Sequence, residues 1–256
     1  MLIDRRSRRF TWLFAWSQIK LKYRYTYLGF LWNFLEPGLH LLVLSVVFAY
    51  VNRMNLGDYA VYLFSGLVPW RYFDKAVNVC TDSLVQGDWL LKKLPVSPFA
   101  LPISRWIVAT VEFAFAFVAV AVVLLALKPR WSVHCLVLPL SVVPWALLSL
   151  GAGLLTASLF TFFRDLRPLV QLGLMLGFFT APILFHADLF PAGSRHARLL
   201  AWHPFTYFAA LFQKPVHAGR WPDPADWIVS FSIALATLLA GALALHASRR
   251  RLYFYL

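Results

Sequence analysis

The chain has 256 residues, of which 61% are hydrophobic and only 14% are charged, and its mean hydropathy is +0.67. Soluble domains carry about 25% charged residues and about half apolar ones, so the composition excludes a soluble globular protein and predicts an all-α membrane protein. The net charge of +13 does not predict nucleic-acid binding, because Lys and Arg collect beside membrane spans for topological reasons.

The first element lies in a basic, aromatic stretch. The run QIKLKYRYTYLG, residues 18–29, alternates polar and apolar residues, as a half-buried strand does. A strand at a membrane surface would need a partner for its backbone groups, and no neighbouring strand pattern exists, whereas a helix pairs its own. We therefore predict a helix along the membrane surface, with its Lys and Arg side chains reaching toward headgroups.

Six apolar runs follow, each long enough to cross the membrane as a helix. They lie at about Phe30–Val51, Tyr59–Cys80, Leu101–Leu127, Cys135–Phe162, Leu169–Phe185 and Trp227–Leu245. Lys and Arg concentrate on the side of the termini, which predicts that both termini are cytoplasmic. The predicted divisions are a cytoplasmic and interfacial segment (1–28), a six-helix transmembrane domain (29–246) and a basic tail (247–256).

The first span contains the run LEPG, residues 35–38. Pro37 predicts a kink or a break, because proline removes a helical hydrogen bond. Glu36 is either part of a polar conduit or a structural carboxylate that caps a broken helix or pairs across a dimer. His40, four residues on, could meet it on one face.

The second span carries Arg71, Asp74 and Lys75 at helical spacing. Three aromatic residues adjoin them: Trp70, Tyr72 and Phe73. Charged groups at this depth are costly against lipid, so we expect them to face the bundle interior or a wet cavity. The cluster indicates either a surface for sugar rings or ordinary helix packing around an internal ion pair.

Motifs for catalysis and metal binding do not occur. The sequence has no GxxxxGK[ST], GxSxG or HExxH pattern, so neither ATP binding nor enzyme activity is predicted for this chain. The segment 186–226 carries four histidines, but their spacing predicts no metal site.

Five motifs, in order across most of the chain, carry a family resemblance. They are YTYLGFLWNFLEPGLHLLVLSVVF, YLFSGLVPWRYF, DSLVQGDWLLKKLPVSPFALPISR, FFRDLRPLVQ and WHPFTYFAALF. Together they resemble the permease subunits of polysaccharide ABC exporters of the ABC-2 type, which export O-antigen, capsule and teichoic acid. Where His203 stands before Pro204 the family often has Asn, so no special role is predicted for His203.

The resemblance implies an architecture in the bacterial inner membrane. Two six-span permeases form a homodimer around a channel, and two separate ATPase subunits hold ATP and Mg. Residues 9–28 correspond to an interfacial helix, and HPFTYFAAL, residues 203–211, belongs to short re-entrant helices. A coupling helix that contacts the ATPase corresponds to Gln86, Gly87, Asp88 and Trp89.

The same resemblance implies roles for other residues. Arg164, Asp165 and Arg167 lock the inner ends of the fourth and fifth spans. Lys20, Lys22 and Arg24 either attract the phosphate of a lipid-linked glycan or only anchor the chain by the positive-inside rule. The channel is expected to contact the polymer through Trp32, Glu36, Trp70, Arg71, Tyr72, Phe73, Asp74 and Lys75. The alternatives are an exporter of small lipids or drugs, a membrane glycosyltransferase or acyltransferase, and a structural scaffold.

Overall fold

The computed structural model describes residues 4–24, 31–51, 55–127, 133–186, 191 and 193–255. Every regular element in these ranges is helical, and no strand occurs among them. The helices are α1 (Arg5–Tyr23), α2 (Trp32–Val51), α3 (Leu56–Thr81), α4 (Ser83–Gln86), α5 (Asp88–Lys93), α6 (Ala100–Leu127), α7 (Leu138–Phe162), α8 (Leu166–Thr180), α9 (Arg195–Trp202), α10 (Pro204–Gln213) and α11 (Pro224–Tyr255). A 3₁₀ turn at Val133–Val137 precedes α7, and a π-helical turn at Lys214–Ala218 follows α10.

The alternating N-terminal stretch is helical as far as Tyr23, whereas its position along the membrane surface stays a prediction. This helix starts earlier than the predicted interfacial segment, because the Asp4 side chain caps it by accepting a hydrogen bond from Arg5 N at 2.7 Å. Residues 25–28 of the predicted helix lie outside the described residues.

Three segments of the described chain are long and apolar enough to cross a membrane: Ala100–Val118, Val133–Phe162 and Pro224–Arg249. Two shorter apolar helical segments, Gly38–Tyr50 and Leu166–Thr180, accompany them. Six spans stay a prediction. α11 continues to Tyr255, beyond the predicted end of the last span.

The chain does not break at Pro37, whereas a kink there stays a prediction. α2 runs without interruption from Trp32 to Val51. Pro37 lies in the second turn, where a proline removes only one intrahelical hydrogen bond and the flanking turns keep theirs.

α3 is the central helix of the bundle. Every residue from Tyr59 to Trp70 is buried, and α3 contacts α2, α6, α7, α8 and α10. A second apolar cluster lies at the other end of the bundle, where Leu84 of α4 and Leu90 of α5 pack with Leu101 of α6 and Leu245 of α11. The segment between α3 and α6 is therefore anchored to the bundle and does not project from it.

The chain between α8 and α9 begins with an irregular buried stretch, residues 181–184. Its carbonyl groups accept hydrogen bonds from side chains of α3 and α10: Tyr59 Oη donates to Leu184 O at 2.8 Å, and Gln213 Nε2 donates to Pro182 O at 2.7 Å. Irregular backbone is stable in an apolar bundle only when its polar groups are satisfied in this way.

α11 packs along α7 at very short range. An added Cβ at Gly241 would overlap the carbonyl oxygen of Gly151, and an added Cβ at Gly151 would overlap the backbone of Leu238. Small residues allow this approach between membrane helices. Further along, Ser158 and Ser248 share a hydrogen bond at 3.0 Å between their hydroxyl oxygens.

We expect Gly241→Ala to lower the free energy of unfolding by roughly 2 kcal/mol, because the methyl group would force α7 and α11 apart. Thermal unfolding of the purified protein in detergent measures this. Gly173→Ala is the matched control, because a Cβ on that α8 residue meets nothing within 4 Å. Equal unfolding temperatures for the two variants would contradict the packing argument.

Candidate substrate cavities and coupling surface

A cavity of about 370 Å³ opens between α3 and α6. Its charged lining comes from the predicted cluster on α3 and from one residue of α6: Arg71, Asp74, Lys75 and Glu112. The three charged residues of α3 thus line a cavity, as the polar interpretation of the second span expects, and α6 completes the site.

Glu112 is the residue that sequence reasoning missed. Its carboxylate is 7% exposed and accepts hydrogen bonds from Lys75 Nζ at 2.6 Å and from Lys22 Nζ of α1. Asp74 instead accepts from Asn78 Nδ2 at 3.2 Å. The sequence did contain a signal for Glu112, because it is a lone carboxylate inside an apolar run. Such groups are rare in membrane helices and need partners.

The aromatic neighbours of the cluster are buried. The Trp70 ring meets Phe205 edge-on with centroids 4.7 Å apart, and the Tyr72 hydroxyl lies 2.8 Å from Thr110 Oγ1. Phe73 also packs on Phe205. These contacts favour the helix-packing interpretation for most of the aromatic surface, although Tyr72 and Trp70 each also line a cavity.

A second cavity of about 440 Å³ lies between α2, α3 and α8. Arg71 and Asp74 line it together with Gln171, and His40 Nε2 lies 3.4 Å from Arg71 Nη2. Trp32 is half exposed at the start of α2. The side chain of Glu36 lies outside the described part of the structure.

The three cations at the end of α1 occupy different surroundings. Lys22 reaches Glu112 in the bundle. Lys20 is exposed and lies over the Trp16 ring, with Nζ 5.6 Å from the centroid. Arg24 is exposed at the helix end. The predicted basic group therefore divides into one residue directed at the bundle and two on its surface.

The predicted coupling residues form the connection between two short helices. Gln86 ends α4, and Gly87 packs against Leu101. Asp88 is the first residue of α5, and its carboxylate accepts a hydrogen bond from Trp89 N at 2.6 Å. Trp89 is 54% exposed. The segment thus presents a large apolar side chain on a well-anchored helix, which is a typical protein-contact feature.

The segment before α11 contains a separate ionic contact. Lys214 donates hydrogen bonds to Asp226 and, at 2.5 Å, to Asp223 Oδ2. This hydrogen bond, helped by the Lys214 charge, holds the pKa of the exposed Asp223 carboxyl below its ordinary value. Burial lowers the pKa of the His203 imidazole, whose Nε2 lies 3.0 Å from Thr180 Oγ1.

The chain is similar in sequence to proteins named for polysaccharide export or transport. The chain is 29% identical over 235 residues to the O-antigen export system permease protein RfbA of Myxococcus xanthus, covering 91% of this chain and 89% of that one. It is 28% identical to a protein of the same name from Klebsiella pneumoniae, with 68% of each chain covered. The polysialic acid transport protein KpsM of Escherichia coli is 24% identical, with coverage of 91% and 90%. No family model matches.

The chain is a homologue of polysaccharide export permeases. These similarities confirm the resemblance that the five motifs indicated. The apolar helices of the chain make it a multi-pass membrane protein.

In this permease homologue the first turn of α8 contacts the connection between α3 and α4. Arg167 Nη2 lies 2.9 Å from Asp82 Oδ2, and the other oxygen of Asp82 is buried without a hydrogen-bond partner. Arg164 lies over the Phe160 ring at 5.5 Å, and Asp165 is exposed. Arg167 therefore links α8 to the segment that leads into α4 and α5.

Proposed function

We propose that the chain is the membrane subunit of an ATP-driven exporter that moves a lipid-linked polysaccharide, of the O-antigen or capsular type, across the bacterial inner membrane. The observation that carries the proposal is similarity over 91% of the chain to proteins named for O-antigen export and polysialic acid transport. Two separate ATPase subunits supply the energy and hold ATP and Mg. Both termini are cytoplasmic in this proposal.

Two copies form the channel. Support comes from α8, in which no residue is fully buried within the chain and Leu172, Met175 and Phe179 are about half exposed. Apolar exposure could face lipid, but α8 also borders the cavity that contains Arg71, Asp74 and Gln171, and charged groups at this depth are unfavourable against hydrocarbon. A second copy placed against this face would enclose the polar cavity.

The remaining parts follow from this arrangement. Residues 1–28 hold the interfacial helix, residues 29–246 the six-helix domain and residues 247–256 the basic tail. α9 and α10 are the short re-entrant helices near the outer exit. The cations Lys20, Lys22 and Arg24 attract the phosphate of the lipid anchor, each contributing on the order of 1 kcal/mol near an anionic surface.

Deletion of the gene in its native cell tests the proposal. We expect polysaccharide to disappear from the surface and lipid-linked polymer to accumulate inside, and a plasmid copy of the gene should restore export. Unchanged surface polysaccharide would overturn the proposal in favour of an exporter of small lipids or drugs. Loss of polymer both inside and outside, restored by the plasmid, would also overturn it and favour a membrane transferase.

A further inference from the structure

Arg71 and Asp74 of α3 lie on the wall between two cavities, because both residues line the cavity between α3 and α6 and the cavity between α2, α3 and α8. Both residues are partly buried. Asn78 Nδ2 donates to one carboxylate oxygen of Asp74 at 3.2 Å, and the salt bridges among the described residues include neither Arg71 nor Asp74. Both groups therefore keep hydrogen-bonding capacity for a molecule in the cavity.

The hydrogen-bonding groups of the cavity between α2, α3 and α8 are of mixed kind. The Asp74 carboxylate only accepts hydrogen bonds, and the Arg71 guanidinium only donates them. Gln171 of α8 is exposed and has an amide that does both, while Trp70 and Phe178 add aromatic surface. A sugar hydroxyl both donates and accepts, so an uncharged glycan can pair with all three polar groups and lay the apolar face of a ring on the aromatic surface.

The charges that the described residues bring to this cavity cancel. Arg71 contributes one positive charge and Asp74 one negative charge. His40 also lines the cavity, and its Nε2 lies 3.4 Å from Arg71 Nη2. Because arginine can only donate, this contact needs an acceptor nitrogen, which the neutral imidazole has and the imidazolium does not.

An acidic sugar fits this cavity less well than a neutral one. A carboxylate or phosphate on the sugar could accept from Arg71, but it has no proton to donate to Asp74, which lies on the same wall. It would also lose hydration on entering a partly apolar cavity that offers no net positive charge in return. Asp74 is therefore the residue that disfavours an anion here.

We propose that Asp74 makes this permease homologue selective for an uncharged polysaccharide. The inference rests on the proposed function, which leaves the charge of the exported polymer open. Asp74 accepts hydrogen bonds from the hydroxyl groups of the sugar, and Arg71 donates to its oxygen atoms. Asp74 is a specificity-determining residue in this arrangement, because it rejects the acidic sugars that Arg71 alone would attract.

Binding to the purified full-length chain in detergent, without the ATPase, tests the inference. The probes are the galacturonate tetramer and its methyl ester, which differ in charge but share their linkages and hydroxyl groups. We expect the ester to bind about tenfold more tightly than the acid, because the acid leaves Asp74 facing an anion. In Asp74→Asn the difference should fall to about threefold or less, because an amide can donate to the sugar carboxylate.

Asp4→Asn is the matched control. It removes a carboxylate outside the cavity, and asparagine caps a helix as well as aspartate does, so the tenfold difference should remain. Equal binding of the two probes, tighter binding of the acid, or binding of neither would overturn the selectivity. An undiminished difference in Asp74→Asn, with an unfolding temperature like that of the native chain, would overturn the role of Asp74.

The composition of the polysaccharide that disappears on gene deletion gives a second measurement. We expect its repeating unit to lack carboxylate and phosphate groups. An acidic sugar in every repeat would overturn the inference while the proposed function stands. Surface polysaccharide that is unchanged by the deletion would instead overturn the proposed function, so the two failures are distinguishable.

Discussion

Replacing Asp88 and Trp89 together with alanine is expected to abolish export while leaving the protein in the membrane. Leu90 and Leu91 hold α5 against the bundle, whereas Trp89 is half exposed on its other side. Trp89 N donates a hydrogen bond to the Asp88 carboxylate, which also pairs with Lys92 at 3.3 Å. The double replacement therefore removes the exposed aromatic side chain and the carboxylate of the first turn but leaves the buried contacts intact.

Three measurements test this variant. They are the amount of surface polysaccharide, the amount of the protein in the membrane fraction, and co-purification of the ATPase. Trp221→Ala is the matched control, because this tryptophan is similarly exposed, at 52%, and lies in the segment before α11. Normal export by the double variant would show that this segment is not the coupling helix. A double variant that is absent from the membrane fraction would show that its effect is structural.

Reversing the charge of Arg167 is the second change with a large expected effect. In Arg167→Glu a carboxylate replaces the partner of Asp82, whose own carboxylate is only 13% exposed. We expect export to fall roughly tenfold, because like charges would separate the start of α8 from the connection into α4. Loss of the ion pair alone would have less effect, since half-exposed pairs contribute at most about 1 kcal/mol.

A second replacement distinguishes electrostatic repulsion from general damage at the turn. Asp82→Asn added to Arg167→Glu removes the repulsion and should restore export to the level of Asp82→Asn alone. Arg164→Glu, in the same turn but stacked on Phe160, should retain most export. If all these variants export equally well, α8 does not depend on this contact.

Helices were predictable here because the signal is local. Long apolar runs identify α6, α7 and α11, and backbone pairing explains why the alternating stretch of α1 is helical. The start of α1 was missed because Asp4 acts as its cap, a role that many aspartates do not play.

The ionic contacts were not predictable from the sequence because their partners are remote. Helical spacing could pair Arg71 with Asp74, but it gives no partner for Lys75, which binds Glu112 on another helix. Arg167 likewise binds Asp82, far earlier in the chain. Helical periodicity gives the face on which a charge lies but not the helix that covers that face. The burial of Trp70 and Phe73 has the same cause, since aromatic composition alone does not separate packing from ligand contact.

The close approach of Gly151 and Gly241 also constrains how the protein is made. Chains are synthesised from the N-terminus, so α7 reaches the membrane well before the ribosome has produced the last helix. Until then the backbone around Gly151 lacks the partner against which it packs. We expect nascent and prematurely terminated chains to expose this surface to membrane proteases, and a late nonsense mutation to act as a complete loss of the protein.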